Sequence, residues 1–250
     1  MSTAINITDL SFSYKLKDKV ILDKINLKIN KNTTFGIIGP TGAGKSTLLL
    51  HLNGLLRGLG SIKINDISIN KRNLKQIREM VGIVFQNPDN QLFCPTVYED
   101  VAFGLIQRGL SEDQIKPKVN KILEYFNLLD YSASSSHQLS FGEKKRIALA
   151  SILIMQPQII CFDEPFANLD YESIYTLIAE IKRLSLTKII VSQDILLTMA
   201  ICDHIAVING GKILLVDTPV NIAHNHLPLL KQNNINFLPY LDLIRKNIIF

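Results

Sequence analysis

Gly39-Pro40-Thr41-Gly42-Ala43-Gly44-Lys45-Ser46 fits the pattern G-x-x-x-x-G-K-[ST]. The apolar run Phe35-Gly36-Ile37-Ile38 comes just before it, and the helix-like stretch Thr47-Leu48-Leu49-Leu50-His51-Leu52 directly after. Glycines let a backbone curl so that several N–H groups point at one anion, and a helix starting at the curl adds the positive end of its dipole. Residues 39–47 therefore predict a phosphate-binding loop between a strand and a helix. In that loop Lys45 reaches the β/γ-phosphates of a nucleotide, and the Ser46 hydroxyl is a ligand for Mg²⁺.

Working outward, four more apolar runs, Val81–Phe85, Ile159–Phe162, Lys188–Ser192 and Ile205–Ile208, have the near-continuous character of parallel strands covered on both faces. They alternate with helical patterns, so the expected class is α/β, with a mostly parallel sheet and flanking helices. Between Gln86 and Ser140 the character changes. Start signals at Thr96-Val97-Tyr98-Glu99 and Ser111-Glu112-Asp113-Gln114, with Ile115, Val119, Ile122, Leu123 and Phe126 at helical spacing, predict an inserted helical subdomain. Pro117 interrupts that pattern and leaves the boundaries open. The expected organisation is a main domain over 1–220, its helical subdomain at about 87–150, and a short Asn- and Leu-rich helical appendage over 221–250. No internal repeat is present.

Composition narrows the setting. The 250 residues are 47% hydrophobic, enough for a sizeable core. Cys94, Cys161 and Cys202 have no C-x-x-C spacing, and they read as small core residues in a reducing compartment rather than as a disulfide or zinc framework. The net charge of +5 is spread over separate clusters, the reading of an ordinary solvated surface and not of a nucleic-acid partner. Apolar stretches such as Ala148–Met155 fall far short of the ~20 residues of a membrane span, and Met1-Ser2-Thr3-Ala4 lacks a signal pattern. Any membrane role is expected to be peripheral.

A second motif supplies acids. Ile159-Ile160-Cys161-Phe162-Asp163-Glu164 is an apolar strand ending in two carboxylates, at the end of a strand where open α/β sheets bind ligands. Asp163 is suited to hold Mg²⁺ through water, and Glu164 to polarise an attacking water as general base. Up to this point any phosphate-loop ATPase fits.

Leu139-Ser140-Phe141-Gly142-Glu143, lying between the two motifs, resembles the signature motif of the ATP-binding-cassette family, with Phe141 and Glu143 where many members have Gly and Gln. Read alone, Ser140 to Glu143 is also a generic capping box. The resemblance covers about residues 5–220. It implies an antiparallel N-terminal β part, an adenine-stacking role for Tyr14, a lid glutamine in Gln86 that also ligates Mg²⁺, and a D-loop at Asn168-Leu169-Asp170. It further implies a head-to-tail pair of cassettes, in which Ser140 and Gly142 act on nucleotide bound by the partner's loop. The second cassette is then another copy or a paralogue.

Three longer stretches, Val84–Phe93, Pro95–Gly104 and Leu139–Arg146, resemble the ATPases of energy-coupling-factor importers, most of all the cobalt/nickel branch. That likeness implies ATP and Mg²⁺ as cofactors, a transmembrane coupling protein and a separate substrate-capturing membrane protein as partners, and a position on the cytoplasmic face of the membrane. The segment after Gln86, including Leu92, Phe93, Tyr98 and Glu99, is expected to receive the coupling protein. One position departs from the family: Ser192-Gln193-Asp194 has Gln193 where a histidine is usual, and an amide carries no charge and shuttles no proton. Slow turnover is therefore expected. Three classes stay open: a transport ATPase for a metal ion or a vitamin, a cassette working on nucleic acid, and a regulatory cassette with little hydrolysis.

Overall fold

The computed structural model describes residues 2–14, 19–233 and 235, so the remainder of the expected appendage lies outside the described residues. In chain order the elements are β1 (Thr3–Phe12), β2 (Leu22–Asn30), β3 (Thr34–Ile38), α1 (Lys45–Leu52), β4 (Leu59–Ile64), β5 (Ile67–Ser68), α2 (Leu74–Met80) and β6 (Val81–Val84). Then follow α3 (Val97–Gln107), α4 (Glu112–Tyr125), α5 (Phe141–Leu153), β7 (Ile159–Asp163), α6 (Tyr171–Arg183), β8 (Thr187–Ser192), α7 (Ile195–Ile201), β9 (His204–Asn209), β10 (Lys212–Asp217), α8 (Pro219–Asn225) and α9 (Leu227–Gln232). They form two compact units, one from residues up to Arg78 together with those from Ser185 onward, the other from Glu79 to Leu184.

In the first unit β1 is paired antiparallel on both sides, with β2 (Ile5 opposite Ile29, Ile7 opposite Leu27) and with β4 (Ile5 opposite Ile64, Ile7 opposite Ile62). Residues along β2 alternate between buried and exposed, as a sheet with one wet face requires. β3 is different. Each of its five residues is buried, and it runs parallel to β8 on one side and β9 on the other, while β10 returns antiparallel along β9. A strand enclosed in this way leaves functional groups only its ends, and the phosphate loop departs from the carboxyl end of β3.

In the second unit β6 and β7 are parallel, pairing Val81 with Ile159 and Val84 with Phe162. Helix α5 packs on β6, α3 and α4. All three helices begin with a capping box: Thr96 with Glu99, Ser111 with Gln114, and Ser140 with Glu143. The sequence pattern left Pro117 as an interruption, yet α4 runs through it. Ile115, Val119 and Leu123 are buried on one stripe, and that burial together with the reciprocal cap outweighs one missing backbone bond.

All five apolar runs are strands, and the α/β class with an antiparallel N-terminal part stands. Cys161 and Cys202 are buried core residues, but Cys94 is only partly covered. Its thiol is pushed up to about 11 by burial and by the neighbouring Asp100. Among the described residues no helix is long and apolar enough to cross a membrane.

Candidate functional site

The first unit carries the phosphate loop. Gly42 (φ +78°) and Gly44 (φ +100°) occupy the left-handed region, which costs a residue with a side chain roughly 1–2 kcal/mol. A Cβ on Gly44 would also stand 2.8 Å from the Ile21 carbonyl oxygen. Gly44 is the N-cap of α1, so that helix starts at Lys45, two residues ahead of the stretch read from the sequence. Lys45 is buried, and its ammonium donates to the carbonyl oxygens of Gly39 (2.8 Å) and Pro40 (3.1 Å). The cation therefore lies across the loop. Ala43 is buried with its N–H on the Pro40 carbonyl, while Thr41 and Ser46 are exposed.

Two more distant residues reach this loop. The Thr41 hydroxyl donates to Oε1 of Gln193 at 3.1 Å, so Gln193 meets the phosphate loop. The Tyr14 hydroxyl lies 3.2 Å from Oγ1 of Thr47, and the Tyr14 ring stays exposed while standing edge-on to Phe12 at 5.0 Å. His51 fixes the back of α1, with Nδ1 2.7 Å from the Thr47 carbonyl oxygen, and burial lowers its basicity. A buried ammonium, a left-handed glycine curl at a helix start and an exposed hydroxyl one residue on form a donor set that fits a polyphosphate with Mg²⁺.

In the second unit β7 ends at the half-buried Asp163, followed by the buried Glu164. Glu164 has φ +45°, an unusual backbone for a non-glycine, of the kind that costs on the order of 1–3 kcal/mol and collects at functional sites. Its support comes from Lys145 on α5. That ammonium, 2% exposed, donates to the carbonyl oxygens of Glu164 (3.0 Å) and Pro165 (2.5 Å). Hydrogen bonds from a charged donor contribute about 1.5–3 kcal/mol each, enough to hold the turn. Burial brings the Lys145 pKa down to about 8 against the opposing pull of the Glu164 and Asp163 carboxylates. The ammonium also lies 5.4 Å from the centre of the Phe141 ring.

Sequence reasoning assigned nothing to Lys145, although a signal exists. It stands in the buried part of α5 with Ile147, Ala148 and Leu149, where a lysine is rare.

Gln86 is exposed just beyond β6, and the chain after it is tied to α5. The Gln91 amide donates to the Ala148 carbonyl (2.7 Å) and Oγ of Ser151 (3.0 Å), and it accepts the Phe85 N–H (3.3 Å). Asp89 and Lys144 form an ion pair at 2.8 Å. Gln91 was another residue without a role in the sequence reading.

At the signature segment the Ser140 hydroxyl is engaged in its own capping box, 2.7 Å from Oε2 of Glu143. This bond, a second from the Ser140 backbone and one from the Tyr131 hydroxyl hold the Glu143 carboxyl below its ordinary pKa, against burial. A Cβ on Gly142 would sit 2.6 Å from Oγ of Ser173, so the backbone of α5 closely approaches the start of α6. Asp170 caps α6 by accepting the Ser173 N–H at 2.7 Å. Ser140, Gly142 and Asp170 thus share one neighbourhood at the starts of two helices.

The expected docking surface needs one correction. Leu92 is 3% exposed and belongs to the core, because the turn after Asn87 directs it inward. Phe93 is 65% exposed and packs edge-on against Phe103 at 5.0 Å, with Ile106 exposed one turn further along α3. The buried Asp100 accepts the N–H groups of Phe93 and Cys94 at 2.9 Å each, which fixes this loop. Tyr98 donates to Glu112, and Glu99 closes the cap of α3.

Residues 22–167 match the family described as ABC transporter. The energy-coupling factor transporter ATP-binding protein EcfA of Methanothermobacter thermautotrophicus is 40% identical over 248 residues, covering 97% of this chain and 79% of that one. The protein of the same name from Methanocaldococcus jannaschii is 40% identical over 231 residues, 90% of this chain and 82% of that one. Among solved structures, cbiO1 from Clostridium perfringens, part of the ABC transporter complex cbiONQ, superposes with a TM-score of 0.81 at 32% identity, covering 98% of this chain and 100% of that chain. A dimeric ATP-binding cassette in a post-hydrolysis state with ADP and Pi superposes with a TM-score of 0.78 at 25% identity, covering 86% and 98%. The chain belongs to the ATP-binding-cassette transporter ATPases of the energy-coupling-factor type: it binds ATP with Mg²⁺, and its hydrolysis of ATP is coupled to transport.

Proposed function

We propose that this chain works as a head-to-tail cassette dimer that powers uptake of Co²⁺ or Ni²⁺ from the cytoplasmic face of the membrane. The phosphate loop, with Lys45 lying across the Gly39 and Pro40 carbonyls, is the observation that carries the motor part of this reading. Residues 39–47 would hold the phosphates, Tyr14 would stack on the adenine, and Ser46, Gln86 and Asp163 would be the ligands for Mg²⁺. Glu164 takes a proton from the attacking water. Ser140 and Gly142 close on nucleotide in the partner cassette, with Asp170 beside the contact. Mg²⁺, when bound, would offset phosphate charge, and the protein's part is to fix the water and the base in line.

Phe93, Phe103 and Ile106 form the proposed docking face for the transmembrane coupling protein, next to Gln86 and braced by Gln91 and Asp89. A substrate-capturing membrane protein completes the complex. The functional body is residues 1–220, including a helical part at about 87–150, and residues 221–250 append to it. The metal cargo rests on the likeness of Val84–Phe93, Pro95–Gly104 and Leu139–Arg146 to the cobalt/nickel branch, and the full-length likeness to cbiO1 supports an importer of that complex type. A vitamin is the alternative cargo. Gln193 favours a second reading, a regulatory cassette with little hydrolysis.

One experiment separates these. Uptake of radiolabelled Co²⁺, Ni²⁺ and vitamins is measured in strains carrying the wild-type chain, Lys45→Ala or Gln193→His. Metal uptake is expected to vanish with Lys45→Ala and to rise with Gln193→His, by about tenfold if the histidine restores part of a contact of the usual 10²–10³ in rate. Loss of vitamin uptake alone moves the cargo to the alternative, and unchanged uptake with Lys45→Ala supports the regulatory reading.

A further inference from the structure

We propose that Lys145 is a positioning residue for ATP hydrolysis: its ammonium, held between the Phe141 ring and the carbonyls of Glu164 and Pro165, sets the backbone from which the Glu164 carboxylate projects. The proposal rests on the reading of Glu164 as general base.

Glu164 follows β7 with φ +45°, a region that is uncommon for a residue with a side chain. Within this turn Ala167 donates to the Glu164 carbonyl at 3.2 Å, a neutral bond at the long end of the range. The stronger restraint is the charged donor from α5, which engages two successive carbonyls and therefore fixes the orientation of both peptide planes. Lys145 is 2% exposed, so this is no surface tether. The helix that carries it is anchored by the Ser140–Glu143 box at its start and by Arg146 donating to the Phe126 carbonyl at 3.0 Å. Because Phe141 and Lys145 belong to the first two turns of α5, any shift of the signature segment moves the ammonium and with it the base. Lys145 makes no contact with reacting atoms in this scheme and acts only through Glu164. An error of about 1 Å in the position of a base costs on the order of 10²-fold in rate.

The test compares the wild-type chain, Lys145→Met, Lys145→Arg, Glu164→Gln and the Lys145→Met/Glu164→Gln double variant, each full length in the solubilised transporter complex. ATP hydrolysis, the Kd for a fluorescent ATP analogue and the Tm are measured. The expected result is a 10- to 100-fold lower kcat for Lys145→Met, about the size of a misplaced base. The Kd should stay within about twofold, Lys145→Arg should recover most of the rate, and the double variant should be no slower than Glu164→Gln alone. Where Lys145→Met does not fold, Lys145→Gln, which keeps one donor, takes its place in the same comparison. A wild-type kcat in the Lys145 variant overturns the proposal, as does a parallel loss of ATP affinity with no rescue by arginine, the pattern of a merely structural residue. Wild-type hydrolysis by Glu164→Gln instead overturns the assignment of the base and is read independently of Lys145.

Discussion

The phosphate loop and the turn after β7 both hold backbone in the left-handed region, and they do so by opposite means. At Gly42 and Gly44 the demand is met by residue type, since the absent Cβ removes the penalty where it arises. At Glu164 the proposed role calls for a carboxylate and so rules out glycine, and a lysine 19 residues earlier in the chain reaches the turn through its ammonium. The first solution is written locally. The second is spread over two elements and shows only when α5 and the end of β7 are seen together. A loop that binds with main-chain groups can surrender its side chains, whereas a turn that must present a base cannot.

The largest effect is expected from breaking the local solution. Gly44→Ala combines the left-handed penalty with a Cβ 2.8 Å from the Ile21 carbonyl oxygen. The loop has to move, and the affinity for an ATP analogue, read by fluorescence titration, should fall at least about 100-fold, or roughly 2.7 kcal/mol. Retained affinity would show that the loop finds another route to the same cradle.

The distributed solution depends on buried charge, and Glu180 on α6 tests whether the second unit tolerates one that lacks a full set of partners. Glu180 is 8% exposed, and its Oε2 is among the buried oxygens without a hydrogen-bond partner. Burial raises its pKa to about 7, with Arg146 and Arg183 pulling the other way. Its folded pKa is above the unfolded value, so the native state holds the extra proton. The stability this gives is complete below about pH 4.5 and drains away as the pH rises through 7. Glu180→Gln should therefore be more stable than wild type at pH 8 by roughly 2–3 kcal/mol in unfolding free energy, with the gap closing toward pH 5. A gap independent of pH would show that burial does not keep the Glu180 carboxyl protonated up to about pH 7.

The smallest effect sharpens the comparison most. Glu164→Gly and Glu164→Ala both delete the proposed base, and they differ in how readily the residue accepts φ +45°. The glycine variant should melt higher, by about 1 kcal/mol. Equal melting temperatures would indicate that Lys145 does not have to hold a strained turn.

How much could be read beforehand follows the same division. The apolar runs at Phe35–Ile38 and Ile159–Phe162 identified strands because a strand buried on both faces leaves a continuous mark in the chain. The capping boxes at Thr96, Ser111 and Ser140 were equally plain, since each joins residues three apart. Leu92 and Phe93 were not separable, being adjacent, apolar and alike by any local measure, until the turn after Asn87 sent one inward and the other out. Pro117 looked like a breaker because its local cost was visible and the buried stripe that offsets it was not.

By itself the sequence determined the α/β class, the glycine-built loop with Lys45, the strand ending in Asp163 and Glu164, and the family. All of these are encoded in contiguous residues whose chemistry admits few other uses. Tertiary structure alone decided that Thr41 meets Gln193, that Tyr14 meets Thr47, and that Lys145 clamps the Glu164 turn. Those contacts span 152, 33 and 19 positions. Their energy comes from burial and from charged donors brought within about 3 Å, a proximity that no local pattern records.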